Sequence, residues 1–372
     1  MFISQITASN LRSLDFISFK PQSSVNVIIG KNNDGKTSLL EGIYYCSSLR
    51  SFKQVPASLL IKNSKKSLKI LLNYTKITEN YSISLENRIK GSNVNKINDK
   101  KASARQLFSD FPVLALNFGS SNIITGASDD RRSFLDWGVF HVEHSYIDIY
   151  KEYQKALKQR NKLLKRSDKS GIEYWTDLVI EKGGQLNDLR QPYFQSFNKQ
   201  FILLKESINN LVPDVYADIL NTSLEFSTGW SDSKSLSNAI KQSLEKDILL
   251  KHTTCGPHRA DLTFKSSGFD LKSISSMSTQ IIISLLMVMS QANMFHVKHN
   301  HNPIILIDDL FFGIDDKNLN LVINLLVRSE AQCFITAPDL YKDKILDICS
   351  DNKKISTYEF IDKQLVEKNN GK

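Results

Sequence analysis

Residues Gly30-Lys31-Asn32-Asn33-Asp34-Gly35-Lys36-Thr37 set a glycine, four residues and then Gly-Lys-Thr directly after the apolar run Val25, Val27, Ile28 and Ile29. A strand feeding a glycine-rich turn that opens a helix is the arrangement that cradles a nucleotide phosphate. The glycines let the chain curl so that successive backbone N–H groups point inward. A helix starting near Lys36 aims the positive end of its dipole at the same place. Lys36 then reaches the β- and γ-phosphates, and the Thr37 hydroxyl ligates Mg²⁺. A chance turn rich in Gly and Asn is the competing explanation. The strand before and the helical run Ser38-Leu39-Leu40-Glu41-Gly42-Ile43-Tyr44 after supply the context that the motif demands.

At 372 residues the chain has room for two or three domains and a sizeable core. Its 41% hydrophobic and 23% charged residues are those of an ordinary soluble protein. The longest apolar run, Ile281 to Met289, is interrupted by Ser284 and falls short of the roughly 20 residues that cross a bilayer, so no membrane span is expected. Met1-Phe2-Ile3-Ser4-Gln5 has no basic segment leading into a long apolar stretch, which argues against a signal peptide. Cys46, Cys255, Cys333 and Cys349 are scattered without the close pairing of a zinc or redox site, and reduced thiols in the cytoplasm are the expectation. The net charge of +9 favours polyanionic partners, although location matters more than total.

Alternation in Leu68-Lys69-Ile70-Leu71-Leu72 and Tyr81-Ser82-Ile83-Ser84-Leu85 predicts antiparallel strands with one face inward. The polar stretch between Arg88 and Arg105, with Lys90, Lys96, Lys100 and Lys101, reads as an exposed hairpin or loop. From about Ser133 to Leu250 the periodicity is helical. Lys151, Lys155, Lys158, Lys162 and Lys165 recur at spacings of four, three, four and three beside an apolar stripe of Tyr150, Tyr153, Leu157 and Leu164. That row is either a solvated helix face or a stripe that tracks DNA phosphates, and the segment alone supports both equally. After Leu250 the pattern reverts to short strands and turns, and the tail after Phe360 reads as frayed.

Pro303-Ile304-Ile305-Leu306-Ile307-Asp308-Asp309 is an apolar strand ending in two carboxylates. Asp308 is the expected partner of Thr37 in holding Mg²⁺, and Asp309 stands where a general base would orient the attacking water. His258 and Arg259 either contact ligand or brace the turn set by Gly256-Pro257, with bracing preferred. Arg131, Arg132 and Asp136 suit a structural ion pair or an interface between lobes. His296, His299 and His301 lack an accompanying cysteine or convergent acid and read as an exposed loop.

Read in order, several segments resemble the RecF family. They are Asn10-Leu11-Arg12, the cradle with Leu40-Glu41-Gly42-Ile43, Asp130-Arg131-Arg132-Ser133-Phe134-Leu135-Asp136-Trp137-Gly138, Lys158-Gln159-Arg160-Asn161, Cys255-Gly256-Pro257-His258-Arg259-Ala260-Asp261-Leu262 and Leu306-Ile307-Asp308-Asp309. The resemblance implies an α/β, ABC/SMC-type P-loop ATPase head with an inserted helical lobe. It assigns residues 1–115 and 250–372 to the head and 116–249 to the insertion. It implies that ATP is sandwiched between two protomers, with Gly30, Lys31, Asn32, Asn33, Asp34, Gly35, Lys36, Thr37 and Ser38 on one side and Ser276 of the signature segment on the other. It further implies a DNA-binding surface formed by the paired subunits, which fits the row of Lys151, Lys155, Lys158 and Lys162, work with RecO and RecR at gapped DNA to load RecA, and slow hydrolysis, for which Lys36 and Asp309 are the candidates.

Where the family's signature reads Ser, any residue, Gly, Gln, this chain has Ser276-Met277-Ser278-Thr279. The glycine lets backbone approach the γ-phosphate, so Ser278 is expected to crowd it and weaken the closed dimer. Phe118-Gly119 replaces the family's Pro-Glu, which puts the coupling between lobe and nucleotide in doubt. The rivals are a kinase or transport ATPase, an SMC-type structural ATPase, and a degenerate clamp that binds ATP and DNA without efficient hydrolysis. An insertion on the order of a hundred residues is too short for SMC-type heptad arms.

Overall fold

The computed structural model describes residues 1–118, 123–166, 170–209, 217–231, 233–350 and 352–368. The chain forms two compact units, one from Met1–Asn122 with Ser276–Lys372 and one from Ile123–Ser275.

The first leg supplies β1 (Phe2–Leu11), β2 (Leu14–Phe19), β3 (Val25–Gly30), α1 (Lys36–Ser48), β4 (Ser67–Lys76), β5 (Glu79–Arg88), β6 (Val94–Ile97), β7 (Lys100–Lys101), α2 (Ala104–Asp110) and β8 (Val113–Asn117). Apolar residues alternate along β4, and it pairs with β5 in antiparallel register over its whole length, as the sequence pattern predicts. The sheet runs β2-β1-β4-β5-β6-β7, and the basic stretch after Arg88 is its edge hairpin, with Lys96 opposite Lys101. All six residues of β3 are buried, the mark of a strand covered on both faces.

The second unit contains α3 (Ser128–Val142), α4 (Tyr146–Arg166), α5 (Ile172–Asn209), α6 (Ala217–Leu220), β9 (Thr222–Ser227), α7 (Leu236–Gln242), α8 (Leu244–Leu250), β10 (Asp261–Ser266), β11 (Phe269–Asp270) and α9 (Leu271–Ile274). Here the expected boundaries need correction, since this unit spans 123–275 where 116–249 was expected. The reason is a small antiparallel sheet, β11-β10-β9, that the helical periodicity does not announce. Pairing of Asp261 through Ser266 with Ser227 through Thr222 keeps the 250–275 segment with the helices.

Returning to the first unit, the chain forms α10 (Met277–His299), β12 (Ile304–Asp308), α11 (Asp316–Arg328), β13 (Cys333–Pro338), α12 (Lys342–Ser350), β14 (Ile355–Ile361) and β15 (Gln364–Lys368). A second six-stranded sheet results, in the order β15-β14-β3-β13-β12-β8. Its pairings are parallel except for the β14/β15 hairpin. Leu39, Leu40 and Ile43 of α1 join one core with Ile6, Ile70 and Leu72 of the antiparallel sheet and Ile28, Leu306 and Phe334 of the parallel one.

Two expectations fail in this leg. The segment after Leu250 holds a 23-residue helix, α10, long and apolar enough by composition to cross a membrane, but 78% of its most apolar window is buried inside the protein. It is a core helix buried on all sides along its middle, in which Ser290 donates to the Leu286 carbonyl at 2.7 Å. Beyond Phe360 the chain also forms a hairpin that runs to Lys368. Asp362 and Lys363 both take left-handed φ values of 48° and 61°, the twist a two-residue hairpin turn requires, and Phe360 pairs with Leu365.

Candidate nucleotide site

The cradle spans the gap between the end of β3 and the start of α1. Gly35 sits at φ +114°, where a side chain would be strained, and a Cβ there would meet Leu14 Cδ2 at 2.5 Å. Lys36 is buried, and its ammonium donates to the carbonyls of Gly30 at 2.7 Å and Lys31 at 2.8 Å. Burial pushes the Lys36 pKa down, against the pull of Asp34, Asp309, Asp308 and Asp339. Lys31, Asn32 and Asn33 are exposed loop residues, with Asn33 left-handed at φ 73°, and Ser38 lies in the first turn of α1.

From the far end of the sequence, β12 delivers Asp308 to Thr37. The Thr37 hydroxyl donates to Asp308 Oδ1 at 2.9 Å across 271 residues of chain. Thr336, at the corresponding end of β13, donates to the same oxygen at 2.8 Å and accepts from the Asp309 backbone N–H at 2.9 Å. Nothing in the local sequence singles out Thr336. Its place follows from β13 lying between β3 and β12, which no local pattern reveals. Asp309 turns left-handed at φ 58°, so the second carboxylate leaves the strand direction just past the sheet.

A magnesium ion suits these residues. Asp308 is 1% exposed, and among the described residues its Oδ2 has no hydrogen-bond partner. Burial first, and the neighbouring Asp309 charge as well, push its pKa up against the hydrogen bonds from Thr336 and Thr37. A cation, or a water it holds, would satisfy that oxygen and relieve the buried charge. Thr37 and Asp308 would hold it, and its chemistry there is to neutralise phosphate charge.

The signature segment opens α10. Ser276 is the N-cap, accepting from Thr279 N at 3.1 Å and pairing with the Thr279 hydroxyl at 3.0 Å. Ser278 turns its hydroxyl to the Gly313 carbonyl at 3.0 Å and to Asp315 Oδ2 at 3.4 Å, tying the helix start to the loop after β12. Of the Phe118-Gly119 pair, Phe118 is buried and donates its N–H to the Asp308 carbonyl at 3.1 Å, while Gly119 lies outside the described residues.

Lys151, Lys155, Lys158 and Lys162 belong to α4 of the second unit, and all four are exposed along one face while Tyr153, Ala156, Leu157 and Leu164 are buried along another. Arg160 on the same helix is fully buried against Asp247 at 2.7 Å, which the charge spacing does not foretell. His258 braces its turn: Nδ1 pairs with the Tyr153 hydroxyl at 2.6 Å and Nε2 with the Thr253 carbonyl at 3.1 Å. Arg131 is an ion-pair residue, bidentate to Asp261 at 2.7 and 2.9 Å. Arg190 clasps Asp136 in the same manner, at 2.8 Å for both bonds. Among the described residues no group of three or more His, Cys, Asp or Glu could hold a metal, the histidines of 296–301 included.

The family model described as RecF/RecN/SMC N terminal domain matches residues 2–357. The DNA replication and repair protein RecF of Nitrosococcus oceani is 30% identical over 342 residues, covering 90% of this chain and 92% of that protein. Its counterpart in Pseudoalteromonas translucida is 29% identical over 343 residues, covering 91% and 92%. Among solved structures, the recombination mediator protein RecF-ATPrS in the RecFOR pathway superposes with a TM-score of 0.79 at 22% identity, covering 98% of both chains. The Smc head domain derived from Pyrococcus furiosus, bound to the C-terminal domain of ScpA, gives 0.56 at 14% identity, covering 99% of this chain and 96% of that one. The fold is therefore that of an ABC/SMC-type ATPase head.

Proposed function

Because this chain belongs to the RecF family, we propose that it is an ATP-dependent DNA-binding protein of replication and recombinational repair, acting with RecO and RecR at gapped DNA to promote RecA loading. The observation that carries the reading is the meeting of Thr37 and Asp308 at 2.9 Å, which joins a phosphate cradle from one end of the sequence to paired carboxylates from the other. ATP binds through Gly30 to Ser38, Thr37 and Asp308 take Mg²⁺, and Asp309 orients water for slow hydrolysis. Two copies close over the nucleotide, so that Ser276 of one subunit faces the γ-phosphate held by the other. The closed pair presents the exposed lysines of α4 to phosphates, with little base readout.

Binding isotherms on gapped and plain duplex DNA, with and without Mg-ATP, test this reading. ATP is expected to tighten binding to the gapped substrate. Affinity indifferent to nucleotide on both substrates would remove the mediator reading.

A further inference from the structure

We propose that Asp34 is a clasp built into the phosphate cradle, whose carboxylate holds the Lys31 N–H and biases the loop toward the Mg²⁺ complex of a nucleotide over the metal-free anion. The proposal rests on the reading of this loop as an ATP site. Asp34 Oδ2 accepts from Lys31 N at 2.6 Å, and Asp34 N returns a bond to the Lys31 carbonyl at 3.3 Å. A Cβ placed on Gly30 would lie 2.9 Å from the same Oδ2, so the acid rests directly against the first glycine of the cradle. Lys36 completes the closure through the Gly30 and Lys31 carbonyls.

A phosphate cradle works by offering backbone N–H groups and an ammonium to an anion. In this loop an acid already answers one of those N–H groups, and the ammonium is turned to loop carbonyls. Asp34 also leads the acids whose field reaches Lys36, ahead of Asp309, Asp308 and Asp339. An entering polyphosphate therefore meets a lysine already held by loop carbonyls, and adds its own charge to a loop that carries the Asp34 carboxylate. A divalent cation on the phosphates removes much of that repulsion. Mg²⁺ should accordingly matter more to this loop than to one with a neutral residue at position 34.

Asp34→Asn keeps the shape and an oxygen for Lys31 N while removing the charge, and Asp34→Ser removes the clasp as well. The full-length chain is titrated with a fluorescent ATP analogue, once in excess Mg²⁺ and once in EDTA. The Asn variant is expected to bind the metal-free analogue on the order of tenfold more tightly than the parent, with a gain of about threefold or less for the Mg²⁺ complex. The Ser variant is expected to show the same split. Equal affinities of parent and Asn variant in both solutions overturn the clasp, and so does a gain that is the same with and without Mg²⁺. Binding that Lys36→Ala abolishes upholds the nucleotide site whatever Asp34 does. No binding by a natively folded parent overturns the site reading and the clasp together.

Discussion

At the scale of single residues, the segments that resemble the family are largely partners of one another. Arg12 forks onto Glu41 at 2.7 and 2.8 Å, where Glu41 is 2% exposed, and Ser51 donates to the same carboxylate. Arg131 meets Asp261, Arg132 donates to the Ala260 carbonyl at 2.6 Å, and Asn161 accepts from Thr253 N at 2.8 Å. An ion pair is costly to break from one side where the remaining charge is buried, as Glu41 is. Arg160→Met, which strands the fully buried Asp247, is expected to destabilise the second unit by about 3–5 kcal/mol, read from denaturant midpoints. Lys36→Ala is expected to abolish ATP binding and the nucleotide-dependent part of DNA binding; ATP-stimulated affinity unchanged in that variant would count against the scheme. His258 makes a third prediction. Burial lowers its pKa to about 4, so the folded state binds fewer protons than the unfolded state between the ordinary value of 6.5 and that pH. Its contribution is present above pH 6.5 and is lost as pH falls toward 4. His258→Gln should therefore flatten the fall in melting temperature over that interval relative to the parent.

At the scale of elements, the cradle, its flanking strand and helix, and the acid-tipped β12 are legible because each rests on contiguous residues with a fixed chemical duty. The ladder of β4 and β5 is legible because side chains alternate between core and water. The small sheet of β9, β10 and β11 is not, since strands of six, six and two residues embedded among helices leave little period to read. Helix α10 hides for the opposite reason: a helix buried on every side has no amphipathic stripe. Its opening turn carries the Ser278 substitution, and there Ser278→Gly is expected to strengthen ATP-induced self-association by removing both a Cβ and the tie to Gly313. Sedimentation with a slowly hydrolysed analogue checks this, and unchanged or weaker association refutes it. The exposed face of α4 makes its own prediction. Replacing Lys151, Lys155, Lys158 and Lys162 with Ala should flatten the dependence of log affinity on log salt by about 0.9 for each lysine that meets duplex phosphate. An unaltered slope would return that face to solvent.

On the scale of the whole molecule, the class of fold is readable from two motifs far apart in sequence, whereas the division into units is not. A boundary depends on which strand finds which neighbour, and Asp261 finds α3 through Arg131 across 130 positions. The parallel sheet makes the same point more sharply. The cradle strand β3 lies between β13 and β14, pairing Val25 with Cys333 on one side and with Ile355 on the other. During synthesis, then, the loop emerges from the ribosome early but has no flanking strands until more than 300 residues later. A nascent chain is thus expected to stay blind to nucleotide for nearly its whole translation.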